Sequence, residues 1–526
     1  MLPWYAWTPW GGEFQVARLL LQRGLAAIYL VAFVVAARQY RPLAGEDGLL
    51  PLRQYVERYE FRQKPSLFYY FDSDRALAVG AWTGVALAAC ALVGLPGRFG
   101  LPVYVLVWTA MWALYLSFVN AGQTFYGFGW ESMLCEAGFL AIFLGAPDLI
   151  APAIVIYLFR WLEFRNMLGA GLIKLRGDEC WRELTCLEYH YETQPMPNPL
   201  SWVAHRLPKR FHRFEVLGNH VVELAIPFLY FGPPRVAAAA GLITIGFHGW
   251  LMLTGNFAFL SALSIVFAGS LFADAVVAGV LRASVPALAP TLRAPAGSFS
   301  PLPLWFQVAI AGLVVLVVAL SHYPVTNMIS PKQAMNRAFD PLNLVNTYGA
   351  FGSITRTRYE IVVQGTSDPV ITDDTEWETY EFPGKPTNPE RLPPQWAPYH
   401  LRLDWQLWFA AMAPSPSRHP WFVHFLAKLL AGDDGARSLL RTDPFPDDPP
   451  RHVRALRYRY EFTTVEERRE TGQWWTRERV GTYYGPVSLD DSRFRLLLQR
   501  RGWEVPDGER TDERAADALA RMSERE

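Results

Sequence analysis

The chain has 526 residues, of which 51% are hydrophobic and only 19% are charged. Basic and acidic residues number 49 each, so no net basic field favours nucleic-acid binding. The apolar content excludes a disordered, collagen-like or coiled-coil protein, and four cysteines are too few for a disulfide scaffold. Apolar runs fill the chain from 24 to 322, whereas 323–526 is charged and rich in proline and aromatic residues. The sequence therefore predicts a membrane-embedded half followed by a soluble half.

Nine apolar runs are long enough to cross a bilayer as helices, a crossing that takes about 20 residues. They lie near 18–37, 76–96, 101–119, 132–147, 150–173, 217–231, 234–254, 257–281 and 303–322. The run at 132–147 is short, so eight spans are the alternative. A cleaved signal peptide ending at Ala37 is an alternative for the first run, but the long aromatic segment before that run argues against it.

We predict a polytopic α-helical membrane domain with about nine transmembrane helices, followed by a soluble α+β, β-rich domain. The predicted domains are 1–322, with embedded loops 38–75 and 174–216, then 323–510, and a polar tail at 511–526. Among the loops of the membrane half, these two carry the most Lys and Arg, and charge counting alone would place them in the cytoplasm. Both loops also carry many acidic and aromatic residues, which indicates folded segments rather than simple topogenic ones.

Ionisable residues within the run 150–173 and just after it are candidates for function, because charge inside a membrane is costly. At 100° per residue, Arg160, Glu163 and Lys174 fall on one face of a helix. One interpretation is a structural polar network of Arg160, Glu163, Arg165 and Glu223, with Lys174 reaching the interface. The other is a polar cavity in which Lys174 acts as a base or an anion-binding group.

Two further polar pairs enter apolar runs. His220 and Glu223 share a helix face, where they could form a latch, half a metal site or a cap for the loop above. Two ligands without a third are weak support for a metal, so we predict none. Glu136 is expected to pair with a basic residue on a neighbouring helix.

The loop after Lys174 contains two cysteines, six residues apart. Cys180 and Cys186 would form a disulfide only in an oxidising compartment, and two buried free thiols are the alternative. Prolines at 195, 197 and 199 predict an extended stretch downstream. Cys90 and Cys135 lie in apolar runs and are expected to pack there.

The soluble half is predicted to mix strands and helices. Strands are expected at 353–363, 376–382, 454–463 and 473–484, and helices at 403–413, 419–431 and 490–501. The chain contains no G-x-S-x-G elbow, H-E-x-x-H pair, dinucleotide fingerprint or phosphate loop. Nothing in the sequence points to a cofactor.

Several blocks are similar to the lipase maturation factor family. They are Arg160-Trp-Leu-Glu-Phe-Arg165, Gly171-Leu-Ile-Lys-Leu-Arg-Gly177, Cys180-Trp-Arg-Glu-Leu-Thr, Tyr189-His-Tyr-Glu-Thr-Gln-Pro-Met-Pro-Asn-Pro199, 346–365 and Leu403-Asp-Trp-Gln-Leu-Trp-Phe409. The resemblance runs from about residue 120 to 485. It implies a multi-pass membrane protein that helps secreted lipases, or other exported proteins, to fold and assemble.

The resemblance also implies a location and a set of contacts. The C-terminal domain would face the lumen of the endoplasmic reticulum, or the periplasm if the chain lies in a bacterial inner membrane. We therefore expect a cytoplasmic N-terminus, with the 174–216 loop and the C-terminal domain outside, although the Arg count favours the reverse. Client-binding candidates within the resembling blocks are Tyr348, Phe351, Arg356, Arg358, Asp404 and Trp405.

A membrane enzyme is the second hypothesis. Ile173-Lys-Leu-Arg-Gly-Asp178 is similar to a short block of the vitamin K-dependent carboxylase-like membrane family, in which a lysine serves as catalytic base. This hypothesis places Lys174 in a cavity with Glu163, His190 and His220 as neighbours. A lipid-like or quinone-like ligand would suit such an apolar pocket. The lack of any complete catalytic motif favours the non-enzymatic hypothesis.

Overall fold

The computed structural model describes residues 14–284 and 299–503, which form two compact units. The helical unit contains residues 14–46, 51–284, 299–356 and 394–402, and the sheet unit contains 47–50, 357–393 and 403–503. The predicted tail at 511–526 lies outside the described residues. The boundary predicted at 323 stays a prediction.

The helical unit consists of helices joined by short turns. Its α-helices are α1 (Gln15–Ala44), α2 (Leu52–Val56), α3 (Asp74–Leu92), α4 (Leu95–Arg98), α5 (Leu101–Ala121), α6 (Gly129–Ala141), α7 (Ala153–Arg176), α8 (Glu179–Arg182), α9 (Leu187–Thr193), α10 (Ser201–His205), α11 (Lys209–Leu224), α12 (Pro234–Thr254), α13 (Leu260–Ala268), α14 (Asp274–Ser284), α15 (Leu304–Leu320) and α16 (His322–Ile329).

Six helical segments in the described part of the chain are long and apolar enough to cross a membrane. They are Gln15–Ala44, Asp74–Leu92, Leu101–Ala121, Lys209–Phe231, Pro234–Thr254 and Leu304–Ile329. A seventh candidate is the pair Leu260–Leu271 and Asp274–Arg282, whose axes meet at 89°. The chain is thus a mostly helical membrane protein with a C-terminal region that contains a sheet.

The predicted count of nine spans is not confirmed by helix length and composition. The run at 132–147 forms α6, which has only 13 residues, and the run at 257–281 breaks between α13 and α14. The run at 150–173 forms the 24-residue α7, whose charges reduce its apolar character. A hydropathy average depends only on residue types. It therefore cannot show where a helix breaks, or whether a buried charge is paired with another residue.

The sheet unit is built on a four-stranded antiparallel sheet. The strands are β1 (Arg358–Thr366), β2 (Glu378–Thr379), β3 (His452–Phe462) and β4 (Trp475–Val487), in the order β2-β1-β3-β4. Its helices are α17 (Arg402–Ala411), α18 (Pro420–Leu430), α19 (Asp434–Arg437), α20 (Val465–Thr471) and α21 (Ser492–Arg500). Helix α18 packs on the sheet, where its Phe422 ring lies 5.1 Å from the Tyr483 ring on β4.

The predicted strands and helices of this half correspond to observed ones, with four differences. The strand predicted at 376–382 is only the two-residue β2, and α19 was not predicted. β1 begins at Arg358 rather than at 353, because the backbone and side chains of 354–356 bond to Asp178 of the helical unit instead. Helix α20 was not predicted, although Thr464 and Glu467 form a capping box at its start. That spacing, a threonine followed by a glutamate three residues later, was a readable signal.

Candidate functional site

The charges of α7 have four separate sets of partners rather than one network. Arg160 donates to the carbonyls of Tyr230 (3.0 Å) and Ser270 (3.1 Å), which lie within two short 3₁₀ helices. Glu163 accepts from the amide of Asn166, one turn later on the same helix, at 3.2 Å. The shared helix face predicted for Arg160 and Glu163 therefore does not produce an ion pair between them.

Arg165 and Glu136 form a buried ion pair between α7 and α6, each 1% exposed. The same carboxylate accepts from the backbone N–H of Asn346 at 3.0 Å and from the hydroxyl of Tyr348 at 2.7 Å. Arg165 also donates to the carbonyl of Asn346 at 2.5 Å. The pair thus fastens the segment after the last apolar helix to two helices of the bundle. The predicted pairing of Glu136 with a basic neighbour describes this arrangement.

Lys174 forms a second buried ion pair, with Glu223 on α11. Asn219, one turn before Glu223, donates to the other carboxylate oxygen at 2.9 Å, and the lysine ammonium lies 5.2 Å from the centre of the Trp181 ring. The two helices approach closely because α7 carries Gly171. A Cβ at that position would meet the Leu224 side chain at 2.7 Å. Lys174 is therefore buried inside the protein and does not reach an interface.

A cavity of about 280 Å³ adjoins this ion pair. Its walls come from α7, α8, α9, α11, α12 and α13 together with Phe257 and residues 350–351. Most wall residues are apolar or aromatic, and the polar ones include Lys174 with its partners Asn219 and Glu223. The apolar wall includes Met167, Ala170, Leu187, Val222, Ile243, Phe247, Leu251, Phe257, Leu260 and Phe351.

One histidine and one serine of the cavity wall have polar atoms without a hydrogen-bond partner among the described residues. His248 on α12 contacts the sulfur of Met167 at 3.3 Å through Nε2, and its Nδ1 has no partner. Ser261 on α13 is 1% exposed and its hydroxyl is also unsatisfied. The ring of His190 stacks on Phe257, with ring centres 5.9 Å apart. Burial, with a smaller contribution from Lys174, lowers the pKa of His190 to about 4, so its ring is neutral at pH 7.

Of the residues predicted for a catalytic cavity, the structure brings Lys174 and His190 to the cavity wall. Glu163 does not line the cavity, but it accepts a hydrogen bond from Asn166, which does. His220 is turned to the loop above, where its Nε2 lies 2.9 Å from the carbonyl oxygen of Trp181. This is the capping role that had been one of three alternatives for His220. Within 14–284 and 299–503, no three His, Cys, Asp or Glu side chains gather as metal ligands.

The loop after α7 is held by a disulfide and an ion pair. Cys180 and Cys186 are bonded, with their Cα atoms 4.8 Å apart. Next to them, Asp178 accepts two hydrogen bonds from Arg356, at 2.8 and 2.9 Å, and one from the N–H of Cys180 at 3.1 Å. The bonds from the Arg356 guanidinium lower the pKa of the Asp178 carboxyl well below its ordinary value. Both features fix the chain at the end of α7, directly above the cavity.

Comparison with known proteins places these features in a family. The lipase maturation factor transmembrane domain matches residues 16–279, and the lipase maturation factor C-terminal domain matches residues 344–485. The chain belongs to the lipase maturation factor family. The resemblance found in the sequence blocks is therefore confirmed.

The relatives are similar over nearly the whole chain. Lipase maturation factor 1 of Bos taurus is 42% identical, over 95% of this chain and 93% of that protein. Lipase maturation factor 1 of Mus musculus is 41% identical, over 94% of this chain and 91% of that protein. Lipase maturation factor 2 of Gallus gallus is 29% identical, over 92% of this chain and 83% of that protein. No solved structure shows a significant match.

The candidate client-binding residues of this lipase maturation factor family member are mostly interior. Tyr348, Arg358, Asp404 and Trp405 are each at most 3% exposed, so a client cannot touch them while the protein keeps this fold. Phe351 lines the cavity, and Arg356 is occupied by Asp178. Each of the four buried residues has a structural partner or a place in a core, which accounts for its residue type without a client.

Sequence reasoning missed Asn219, His248 and Ser261 as members of the site. His248 had a readable signal, because it is an ionisable residue within the predicted span 234–254, and such residues are candidates for function. Asn219 lies four residues before Glu223, a spacing at which side chains on a helix meet. Ser261 gave no signal in the sequence, because serine is common in membrane helices. Only its surroundings in the fold distinguish it from other serines.

Proposed function

We propose that this chain is a membrane-anchored maturation factor that assists the folding or assembly of a secreted lipase. The observation that carries the proposal is the similarity to proteins named lipase maturation factor 1, which extends through both the membrane domain and the C-terminal domain. If the chain had only an anchoring role in common with these proteins, similarity in the C-terminal domain would not be expected. The absence of a complete catalytic motif from the sequence agrees with a role in folding rather than in hydrolysis.

The topology that suits this role has nine crossings, with loops 38–75 and 174–216 and the C-terminal region on one face. Contacts within the helical unit support a common face. Gln39, near the end of α1, donates to the carbonyl of His400 at 2.8 Å. Arg402 donates to the carbonyl of Phe125, just before α6, at 2.8 Å. Asp178, just after α7, binds Arg356.

Contacts at the opposite ends of the same helices support a second face. Arg18, near the start of α1, donates to the carbonyl of Ala146, after α6, at 2.7 Å. Asp274, at the start of α14, accepts from the N–H of Val16 at 2.8 Å. The short α6, the charged α7 and the segment 260–274 would then each run from one face to the other. Added to the six long spans, they make nine.

We place the first face outside the cytoplasm, in the lumen of the endoplasmic reticulum or in a periplasm according to the host. The Cys180–Cys186 disulfide supports this side, because such a bond persists only in an oxidising compartment. Alkaline phosphatase fused after residue 526 should be active and green fluorescent protein dark at the same position. A fluorescent, phosphatase-dead pair of fusions would refute the orientation.

The maturation role is tested by co-expressing the full chain with a secreted lipase in cells that lack their own maturation factor. The measurement is lipase activity per secreted lipase molecule, with a secreted alkaline phosphatase as the non-client control. We expect the lipase alone to gain specific activity. Unchanged specific activity at comparable expression would refute the proposal.

A membrane enzyme is the second candidate, and the cavity beside Lys174 is the observation that favours it. A lysine held in an ion pair carries its proton, so it would act as a base only when the pair with Glu223 opens. Lys174→Arg separates the two roles, because arginine keeps the charge but does not deprotonate in proteins. Full lipase maturation by this variant would argue against the enzyme, and a folded but inactive variant would favour it.

A further inference from the structure

The cavity beside Lys174 opens between two helices that qualify as membrane spans. Ile243 and Trp250 of α12 line the cavity and are also 43% and 38% exposed. On the facing helix α11, a Cβ added to Gly218 would have nothing within 4 Å. Because α11 and α12 both belong to candidate spans, this opening faces the acyl chains of the bilayer. A ligand that enters here is one that dissolves in the membrane.

The inner end of the cavity holds polar atoms that the protein itself leaves unsatisfied. The hydroxyl of Ser261 and Nδ1 of His248 have no hydrogen-bond partner within the described part of the chain, and both residues are at least nine-tenths buried. A buried polar group without a partner costs free energy, because it has lost its hydrogen bonds to water. Such groups in a cavity wall are the expected signature of a partner that is not part of the chain.

The charged groups of the cavity wall already have hydrogen-bond or ion-pair partners. Lys174 is neutralised by Glu223, and Asn219 satisfies the second oxygen of that carboxylate. Glu215, on the same wall, accepts hydrogen bonds from the hydroxyl of Tyr191 (2.8 Å) and from the indole of Trp250 (3.0 Å). An anionic headgroup would therefore lose its hydration without meeting a free positive charge, since Lys174 is already paired.

We propose that this cavity binds one uncharged, single-chain amphipathic lipid, whose hydroxyl or carbonyl groups bond to Ser261 and His248. The acyl chain lies against the apolar wall formed by α7, α11 and α12. A volume of about 280 Å³ is at the lower end of the range of roughly 300–1,000 Å³ that is usual for ligand pockets, which favours one chain over two. This site does not depend on the maturation role, since a lipid can bind whether or not a lipase is a client.

The test uses the purified full chain, delipidated in detergent, with monooleoylglycerol as the probe. We expect saturable binding of one molecule per chain. Oleate, which has the same chain but a charged head, should bind at least about tenfold more weakly, because its desolvation is not compensated. Dioleoylphosphatidylcholine, with two chains, should not compete.

A matched pair of variants on α12 locates the binding. Leu251 lines the cavity, whereas Leu253 is 56% exposed and does not line it. Leu251→Trp fills the cavity and should abolish binding, while Leu253→Trp should bind as the wild type does. Thermal unfolding and gel filtration of both variants monitor the fold.

Ser261→Ala provides a test that does not depend on filling the cavity. Because the hydroxyl has no partner in the protein, its removal should leave the Tm of the lipid-free protein unchanged or slightly raised. The affinity for monooleoylglycerol should fall roughly three- to tenfold, the value of one neutral hydrogen bond. The proposal is refuted if no lipid binds saturably, if oleate binds as tightly as monooleoylglycerol, or if neither Leu251→Trp nor Ser261→Ala weakens binding.

Discussion

The ion pair between Lys174 and Glu223 gives a prediction that separates a structural lysine from a chemical one. In the wild-type protein, the Glu223 carboxylate is 3% exposed and is bound by the ammonium of Lys174 and by one amide N–H of Asn219. Lys174→Met removes the counter-charge and leaves a buried carboxylate with a single neutral donor. Losing one partner of a buried ion pair costs about 3–5 kcal/mol, a large part of the stability of a typical domain.

The second variant restores the balance without restoring the lysine. In Lys174→Met/Glu223→Gln both side chains are neutral, and the new amide can still bond to Asn219. Replacing a complete buried pair by neutral groups is often nearly neutral in stability. We therefore expect the double variant to unfold within about 1–2 kcal/mol of the wild type, far from the single variant.

Two assays are applied to the same set of proteins. Thermal unfolding of the purified full chain reports the stability, and lipase activity per secreted lipase molecule reports the function. If the pair is structural, the single variant loses stability and maturation activity, and the double variant regains stability and activity together. A double variant with wild-type stability and no maturation activity would show that Lys174 acts chemically. A single variant with wild-type stability would refute the reasoning from burial.

Three further predictions concern other parts of the chain. Arg165→Met should destabilise the helical unit by about 3–5 kcal/mol, and Arg165→Met/Glu136→Gln by much less, as measured by thermal unfolding, because the single variant alone leaves a buried carboxylate unpaired. Equal losses in the two variants would contradict the ion-pair argument. Cys180→Ser/Cys186→Ser should lower stability by about 2 kcal/mol, the chain-entropy value for so short a loop, and maleimide labelling of the denatured wild type should modify two cysteines before reduction and four after it. Burial lowers the pKa of His424 to about 4, so between pH 6.5 and 4 the unfolded chain binds a proton that the folded chain does not, and stability falls as the pH falls through this range, by up to about 3 kcal/mol. His424→Gln should show a shallower loss in unfolding experiments between pH 7.5 and 4.5; an unchanged pH dependence would contradict this assignment.

The extent of the helices and strands followed largely from local patterns. The run predicted at 234–254 became α12 with the same bounds, because an apolar stretch that starts after two prolines and ends before a glycine has clear limits in the sequence. The strand predicted at 454–463 became β3 within two residues, because alternation of side chains is a local property. The break between α13 and α14 was not predicted, since apolar residues continue through it and only packing bends the chain there.

The sequence by itself determined that this protein is a membrane protein whose C-terminal region contains a sheet, which family it resembles, and that charged residues enter its apolar helices. These are properties of composition, of local periodicity and of contiguous blocks. Only the tertiary structure decided which charges meet. Lys174 and Glu223 are 49 residues apart in the sequence. Arg165 and Asn346 are 181 residues apart.

Helical periodicity gives the face of α7 on which Lys174 lies, but not which helix packs against that face. The partner is fixed by steric fit between distant helices, as where Gly171 admits Leu224 of α11. The cavity has the same origin. It exists because six helices that are separate in the sequence leave space where they meet, and no single segment encodes that space.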